Sequence, residues 1–164
     1  MITANAVARI SGPDGTRDCA VADIPVSPGR ISLAKGEFIT SIFLPARAAR
    51  GADAYLRFIP RTEMDIAVAS AAVRLELDAA GTVVAAQVAL GAVAPTVVSV
   101  QAGADALIGT KLEEAALAAL VAACSAACNP IDDKRGTIEF RTQVAGVLAK
   151  RAALIAYSRA GDRT

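Results

Sequence analysis

Histidine and tryptophan are missing from the chain altogether. Without histidine no Ser-His-Asp or Cys-His arrangement can form. There are three cysteines, Cys19, Cys124 and Cys128. They make no disulfide framework. With no histidine and no Cys-x-x-Cys pair they make no zinc site either. Free thiols in a reducing cytoplasm are the expectation, so we expect a cytoplasmic protein. Aromatic residues are 4% of the chain and the formal net charge is +1. Stacking platforms and clustered excess base are both lacking, and nucleic acid is not an expected partner. No glycine loop suited to phosphate is present, because Gly12-Pro13-Asp14-Gly15 has proline where an N–H donor is wanted. The longest low-charge stretch, Ala115 to Ala127, falls short of the ~20 residues that cross a bilayer. Met1-Ile2-Thr3-Ala4-Asn5 lacks the basic-then-apolar pattern of a signal peptide.

What is abundant is small and apolar. Hydrophobic residues make up 54% of the 164, with alanine and valine dominant. The core must therefore be built from closely packed small side chains. Val7 to Ser11 and Arg17 to Val21 flank the turn at Gly12-Pro13-Asp14-Gly15 and predict a hairpin. Pro25, Pro28 and Gly29 predict a surface loop over 22–35, and Phe38 to Leu44 is strand-like. Alanine, arginine and glycine over 46–53 suggest a linker, with a boundary near position 50.

Two strands follow, Ile66 to Leu77 and Val83 to Val93, joined by the short loop at Asp78-Ala79-Ala80-Gly81, which implies antiparallel pairing. In the first, Ala67, Ala69, Ala71, Val73, Leu75 and Leu77 share one face. In the second, Val84, Val88 and Leu90 are expected to do so. A third strand is placed at Thr96 to Val100 and a short helix at Ala102 to Leu107. Thr110-Lys111-Leu112-Glu113 fits a capping box ahead of a helix carrying Leu117, Leu120, Val121, Cys124 and Cys128. Asp132 to Gly136 is expected to be a solvated polar turn. The last helix, from about Thr137 to Arg159, carries Phe140, Val144, Val147, Leu148 and Ile155 on one side. The fold class is α+β, an antiparallel sheet of three to four strands with about three helices on one face.

One stretch stands out against this background. Arg57, Arg61, Glu63 and Asp65 crowd into nine positions, where a strand is expected to leave a loop. Arg61 and Asp65 can pair, and two guanidinium groups can hold an anion or an electron-rich ring edge. An exposed ion-pair cluster worth ~0–1 kcal/mol per pair fits the same residues. No catalytic residue and no metal ligand can be assigned.

The run Tyr55-Leu56-Arg57-Phe58-Ile59-Pro60-Arg61-Thr62-Glu63-Met64-Asp65-Ile66-Ala67 resembles the FAD-binding (medium) subunit of the molybdenum hydroxylases, the family of carbon monoxide and xanthine dehydrogenases. Pro28-Gly29-Arg30, Leu33-Ala34-Lys35-Gly36-Glu37, Leu90-Gly91-Ala92-Val93-Ala94-Pro95-Thr96 and Pro130-Ile131-Asp132-Asp133-Lys134-Arg135-Gly136 agree with it in order, as do Phe140-Arg141, Val147-Leu148 and Arg151-Ala152. The resemblance implies that residues 1–50 end an FAD-binding domain and that 51–164 form the flavoprotein C-terminal sandwich. It implies FAD contacts at Ile39 and Arg57, with Glu37 and Phe38 flanking Ile39 and with Arg61 and Asp65 in the charged loop beside the ring. Arg57 would stabilise an anionic reduced ring. Pro60 restricts Ile59 in that loop.

The glycine-rich motifs that cradle the FAD pyrophosphate in that family have no counterpart here, so FAD is expected to be shared with an upstream half. Molybdopterin and [2Fe–2S] clusters would sit on a large and an iron–sulfur small subunit, with the flavin passing electrons to an acceptor. A cofactor-free interaction or capping module, or a fragment without activity of its own, is the competing expectation.

Overall fold

The computed structural model describes residues 1–61 and 65–163. The chain divides into two compact units, Met1–Ala46 and everything from Arg47 onwards.

In the first unit β1 (Val7–Gly12) and β2 (Gly15–Ala20) form the expected hairpin, and β5 (Phe38–Phe43) pairs with the other edge of β1, giving the order β2-β1-β5. Ala8 and Ile10 of the central strand are fully buried. The register of β1 against β5 shifts after Arg9, where the Thr40 hydroxyl donates to the Arg9 carbonyl at 3.1 Å. The expected loop over 22–35 holds a small hairpin, β3 (Pro25–Ser27) with β4 (Arg30–Ile31). Pro28 and Gly29, read as breakers, are its turn. Proline fixes the first turn position, and Gly29 takes the φ of +73° that the next requires.

The second unit holds a four-stranded antiparallel sheet in the order β6-β7-β8-β9, from β6 (Gly51–Phe58), β7 (Ala69–Leu77), β8 (Val83–Gly91) and β9 (Val98–Ser99). The stretch expected to be linker and loop is therefore in part a strand. In β6 Ala52, Ala54, Leu56 and Phe58 alternate with Asp53, Tyr55 and Arg57. Alternation is weak evidence when half of the inward residues are alanine. The inward face of β7, Ala69, Ala71, Val73, Leu75 and Leu77, is as expected and buried, but the strand starts at Ala69 rather than Ile66, and Ala67, expected on that face, lies before it and is half-buried. On β8 a register shift between Glu76 and Leu77 turns Val83 inward, and Val84 is exposed rather than aligned with Val88 and Leu90. A bulge inverts the side-chain alternation beyond it.

Among the described residues three α-helices, α1 (Gln101–Asp105), α2 (Glu114–Ala126) and α3 (Ile138–Gly161), pack as a layer, with α3 on β6 and β7, α1 on β8 and α2 against α1 and α3. The capping box ahead of α2 does not form as expected. The Thr110 hydroxyl bonds the Leu107 carbonyl and the Leu112 N–H, the Glu113 carboxylate takes the Lys111 N–H, and the helix begins at Glu114. Leu112 sits at φ +60°, which breaks the geometry a box needs.

The buried face of α3 is as expected at Leu148, with Val144 and Ile155 packed partly against the core, and otherwise departs from expectation. Ala145, Ala149, Ala152, Ala153, Ala156 and Ala160 are fully buried, whereas Phe140 and Val147 are exposed. A helix seated on a sheet of valine and leucine comes close mainly through its small residues, and that turns Phe140 and Val147 outward. Among the described residues no helix is long and apolar enough to cross a membrane.

Candidate functional site

Each expected site residue has a definite place. In the first unit Glu37, Phe38 and Ile39 lie at the start of β5. The Glu37 carboxylate receives Arg17 Nε and Nη2, both at 2.8 Å, and the Ala34 N–H at 2.7 Å. The Arg17 bonds, then the Ala34 N–H, lower its carboxyl to about 2. Glu37 is thus committed to holding its own loop. Phe38 and Ile39 remain 59% and 41% exposed, and Ile42, Phe43 and Leu44 continue the exposed apolar run.

In the second unit the charged cluster straddles the end of β6. Arg57 lies on the strand opposite Ser70 of β7, and Ser70 in turn lies opposite Gly91 of β8. Arg57 is exposed, and among the described residues its guanidinium has no hydrogen-bond or ion-pair partner. The chain returns at Val68, whose N–H donates to the Phe58 carbonyl at 2.9 Å and closes the base of the connection. Thr62, Glu63 and Met64 lie outside the described residues.

Arg61 and Asp65 are brought together. Asp65 Oδ2 accepts from the Arg61 backbone N–H at 3.1 Å and from Arg61 Nε at 3.4 Å, while Oδ1 accepts from the Ile66 N–H at 2.9 Å. The two partners differ in setting, since the Asp65 side chain is 5% exposed and that of Arg61 73%. Burial works to raise the Asp65 carboxyl. The Ile66 N–H and the contacts from Arg61 outweigh it and hold the carboxyl below the usual range. Arg135 Nε stands 3.9 Å from Asp65 Oδ1.

Sequence reasoning missed the residue behind this cluster. Arg141, in the first turn of α3, is 4% exposed. Its Nη1 donates to the Val68 carbonyl at 2.8 Å and to that of Ala92 at 3.4 Å, and its Nε donates to Gly136 O at 3.3 Å. Its Nη2 reaches Asp133 Oδ1 at 2.6 Å. The turn at 132–136, expected to be merely solvated, is therefore an anchor. Asp133 accepts from the Arg135 N–H and from Arg141, which together lower its carboxyl, and Asp132 accepts from the Ile138 N–H. One signal was available. Arg141 occupies the position of a buried stripe that continues at Ala145, Leu148 and Ala149, and an arginine there needs partners. Among the described residues no group of three or more acidic, cysteine or histidine side chains could hold a metal ion.

The chain belongs to the CO dehydrogenase flavoprotein C-terminal domain family, whose pattern matches residues 54–156. It is 34% identical over 151 residues to the carbon monoxide dehydrogenase medium chain of Afipia carboxidovorans, an alignment covering 92% of this chain and 52% of that one. Its fold is similar to reconstituted CO dehydrogenase from Oligotropha carboxidovorans, with a TM-score of 0.91, 33% identity, and 97% of this chain and 55% of that chain covered. It is also similar to a carbon monoxide dehydrogenase from Hydrogenophaga pseudoflava that lacks the Mo-pyranopterin moiety of its molybdenum cofactor. There the TM-score is 0.90 at 32% identity, over 96% of this chain and 54% of that chain. The chain spans about half the length of the curated relatives it matches.

Proposed function

We propose that the chain is the C-terminal part of the flavin subunit of a molybdenum-containing hydroxylase or dehydrogenase, covering FAD and helping to pass electrons from iron–sulfur clusters to an acceptor. Residues 1–50 are the end of its FAD-binding domain and 51–164 its C-terminal α+β domain. The upstream half of the flavin subunit, an iron–sulfur small subunit and a molybdopterin large subunit are its partners, in the cytoplasm. The observation that carries this reading is the extent of the likeness. It runs over 97% of the chain, beyond the 54–156 segment that defines the domain family.

The chemistry of the side chains fits a flavin. Ile39 and Phe38 offer large apolar surface that the described residues leave exposed, and Arg57 offers a cation with no anion beside it among them. When bound, FAD supplies a carrier able to take up electrons and release them to an acceptor. With FAD bound, Ile39 would offer it an apolar contact, and the Arg57 cation would favour negative charge on a reduced ring. Asp65 balances Arg61 and so moderates the positive field that the pair adds. Glu37, fully engaged by Arg17 and Ala34, acts by holding the strand that presents Ile39.

The test is to produce the protein together with its upstream half and partner subunits, record the visible spectrum, and assay FAD released on denaturation. Bound FAD in the assembly is expected, and its loss or weakening in Arg57→Ala. A correctly assembled complex without flavin overturns the proposal.

A further inference from the structure

We propose that Arg141 and Phe140 are positioning residues that clamp the base of the connection between β6 and β7, and so fix Arg61 and Asp65 relative to the flavin; the flavin part rests on the function proposed above.

Both ends of the connection are gripped by one turn of α3. On the outgoing side the Phe140 ring stands edge-on to Phe58, with centroids 5.8 Å apart and planes at 73°. On the returning side Arg141 takes the Val68 carbonyl, while the Val68 N–H is given to Phe58. Both backbone groups of Val68 are thereby used, one along the sheet and one to the helix.

The helix turn is itself anchored. The Thr137 hydroxyl caps it by accepting the Phe140 N–H at 3.1 Å, and Asp132 accepts the Ile138 N–H. A Cβ on Gly136 would stand 3.0 Å from Phe140 Cδ1 and 3.4 Å from Val68 Cγ1, so the turn, the helix and the returning strand meet without spare room. Arg135 carries the contact onward, lying 3.6 Å from Asp133 and 3.9 Å from Asp65.

A buried guanidinium costs desolvation that a methionine of similar size would avoid. Arg141 is suited to this position because its planar fork reaches three carbonyls and a carboxylate from three segments at once. Lysine keeps the charge but not the fork.

The test compares wild type, Arg141→Lys and Phe140→Leu in the assembled flavin-containing complex. Amide exchange is followed at Arg61 and from Asp65 to Val68, alongside the flavin midpoint potential. In Arg141→Lys we expect exchange there to quicken on the order of tenfold, unchanged protection in β8 and α2, and a shifted potential. Phe140→Leu, altering a side chain 40% exposed, should give a smaller change of the same kind and keeps the test open if Arg141→Lys does not fold. Unchanged exchange at these amides, equal loosening throughout the unit, or faster exchange with an unmoved potential would each overturn the proposal. A wild-type complex devoid of flavin refutes the functional reading instead, and the exchange data still judge the clamp.

Discussion

The Tyr157 hydroxyl donates to the Gly81 carbonyl at 2.8 Å and ties the last turns of α3 to the hairpin between β7 and β8. Gly81 takes φ +83° in that hairpin, so its carbonyl direction is fixed by the turn. Tyr157→Phe leaves the carbonyl without this donor and should cost ~1 kcal/mol of stability. A urea denaturation series checks it. The midpoint should fall with the slope unchanged, because the fold loses one bond and no surface.

Glu37 gives a prediction in pH. Its carboxyl sits near 2 when folded against an ordinary 4.5, because Arg17 and the Ala34 N–H bind the charged form. A depressed value means that the pair's stabilisation is full above about 4.5 and is lost as the pH falls towards 2. A carbon-13 titration of the Glu37 carboxyl should show its midpoint near 2. In Arg17→Met the midpoint should climb towards the ordinary range. A wild-type midpoint at the ordinary value would mean that the pair does not form in solution.

Much of the architecture was legible because it follows from local pattern. The hairpin at Gly12 to Gly15 and the inward face of β7 are set by turn chemistry and by alternation within one strand. What was hidden depends on distant partners. The start of β6, 51–53, reads as linker because alanine there and at 54 gives little contrast, and it is a strand because β7 pairs with β6 over eight positions. Val84 turned outward because of a bulge that no local rule announces. The pairing of Arg61 with Asp65 could be expected from their spacing. The hold of Arg141 on Val68 spans 73 residues and is visible only once the sheet and α3 are assembled.

The alanine face of α3 gives a packing test. Ala149 and Ala152 are fully buried between the helix and the sheet. Leucine at either position must push the helix off its seat or strain side chains around it, at ~1–3 kcal/mol. Leu154→Ala serves as the comparison. Leu154 is 44% exposed, so its truncation should change stability by no more than ~0.5 kcal/mol. Equal effects at the two kinds of position would show that the helix does not seat on its alanines.

The cysteines separate by reactivity. Cys124 is fully buried in the core, and burial, with Cys128 nearby, pushes its thiol up to about 12. Burial also raises Cys128, whose thiol donates to the Cys124 carbonyl at 3.2 Å. Since the thiolate is the nucleophile, Cys124 at pH 8 presents on the order of one reactive molecule in ten thousand, behind a closed core. Iodoacetamide should therefore modify Cys19 in the folded protein and leave Cys124 untouched until denaturant is added, as mass spectrometry of the digested protein can read. Cys124→Ser should destabilise by ~1–3 kcal/mol, because a hydroxyl in that place must find a partner or go without. Cys124→Ala loses a sulfur but adds no polar group, and it should fall less. If Cys124 is labelled as fast as Cys19 under native conditions, the packing of α2 against the sheet side of the core is looser than its geometry implies.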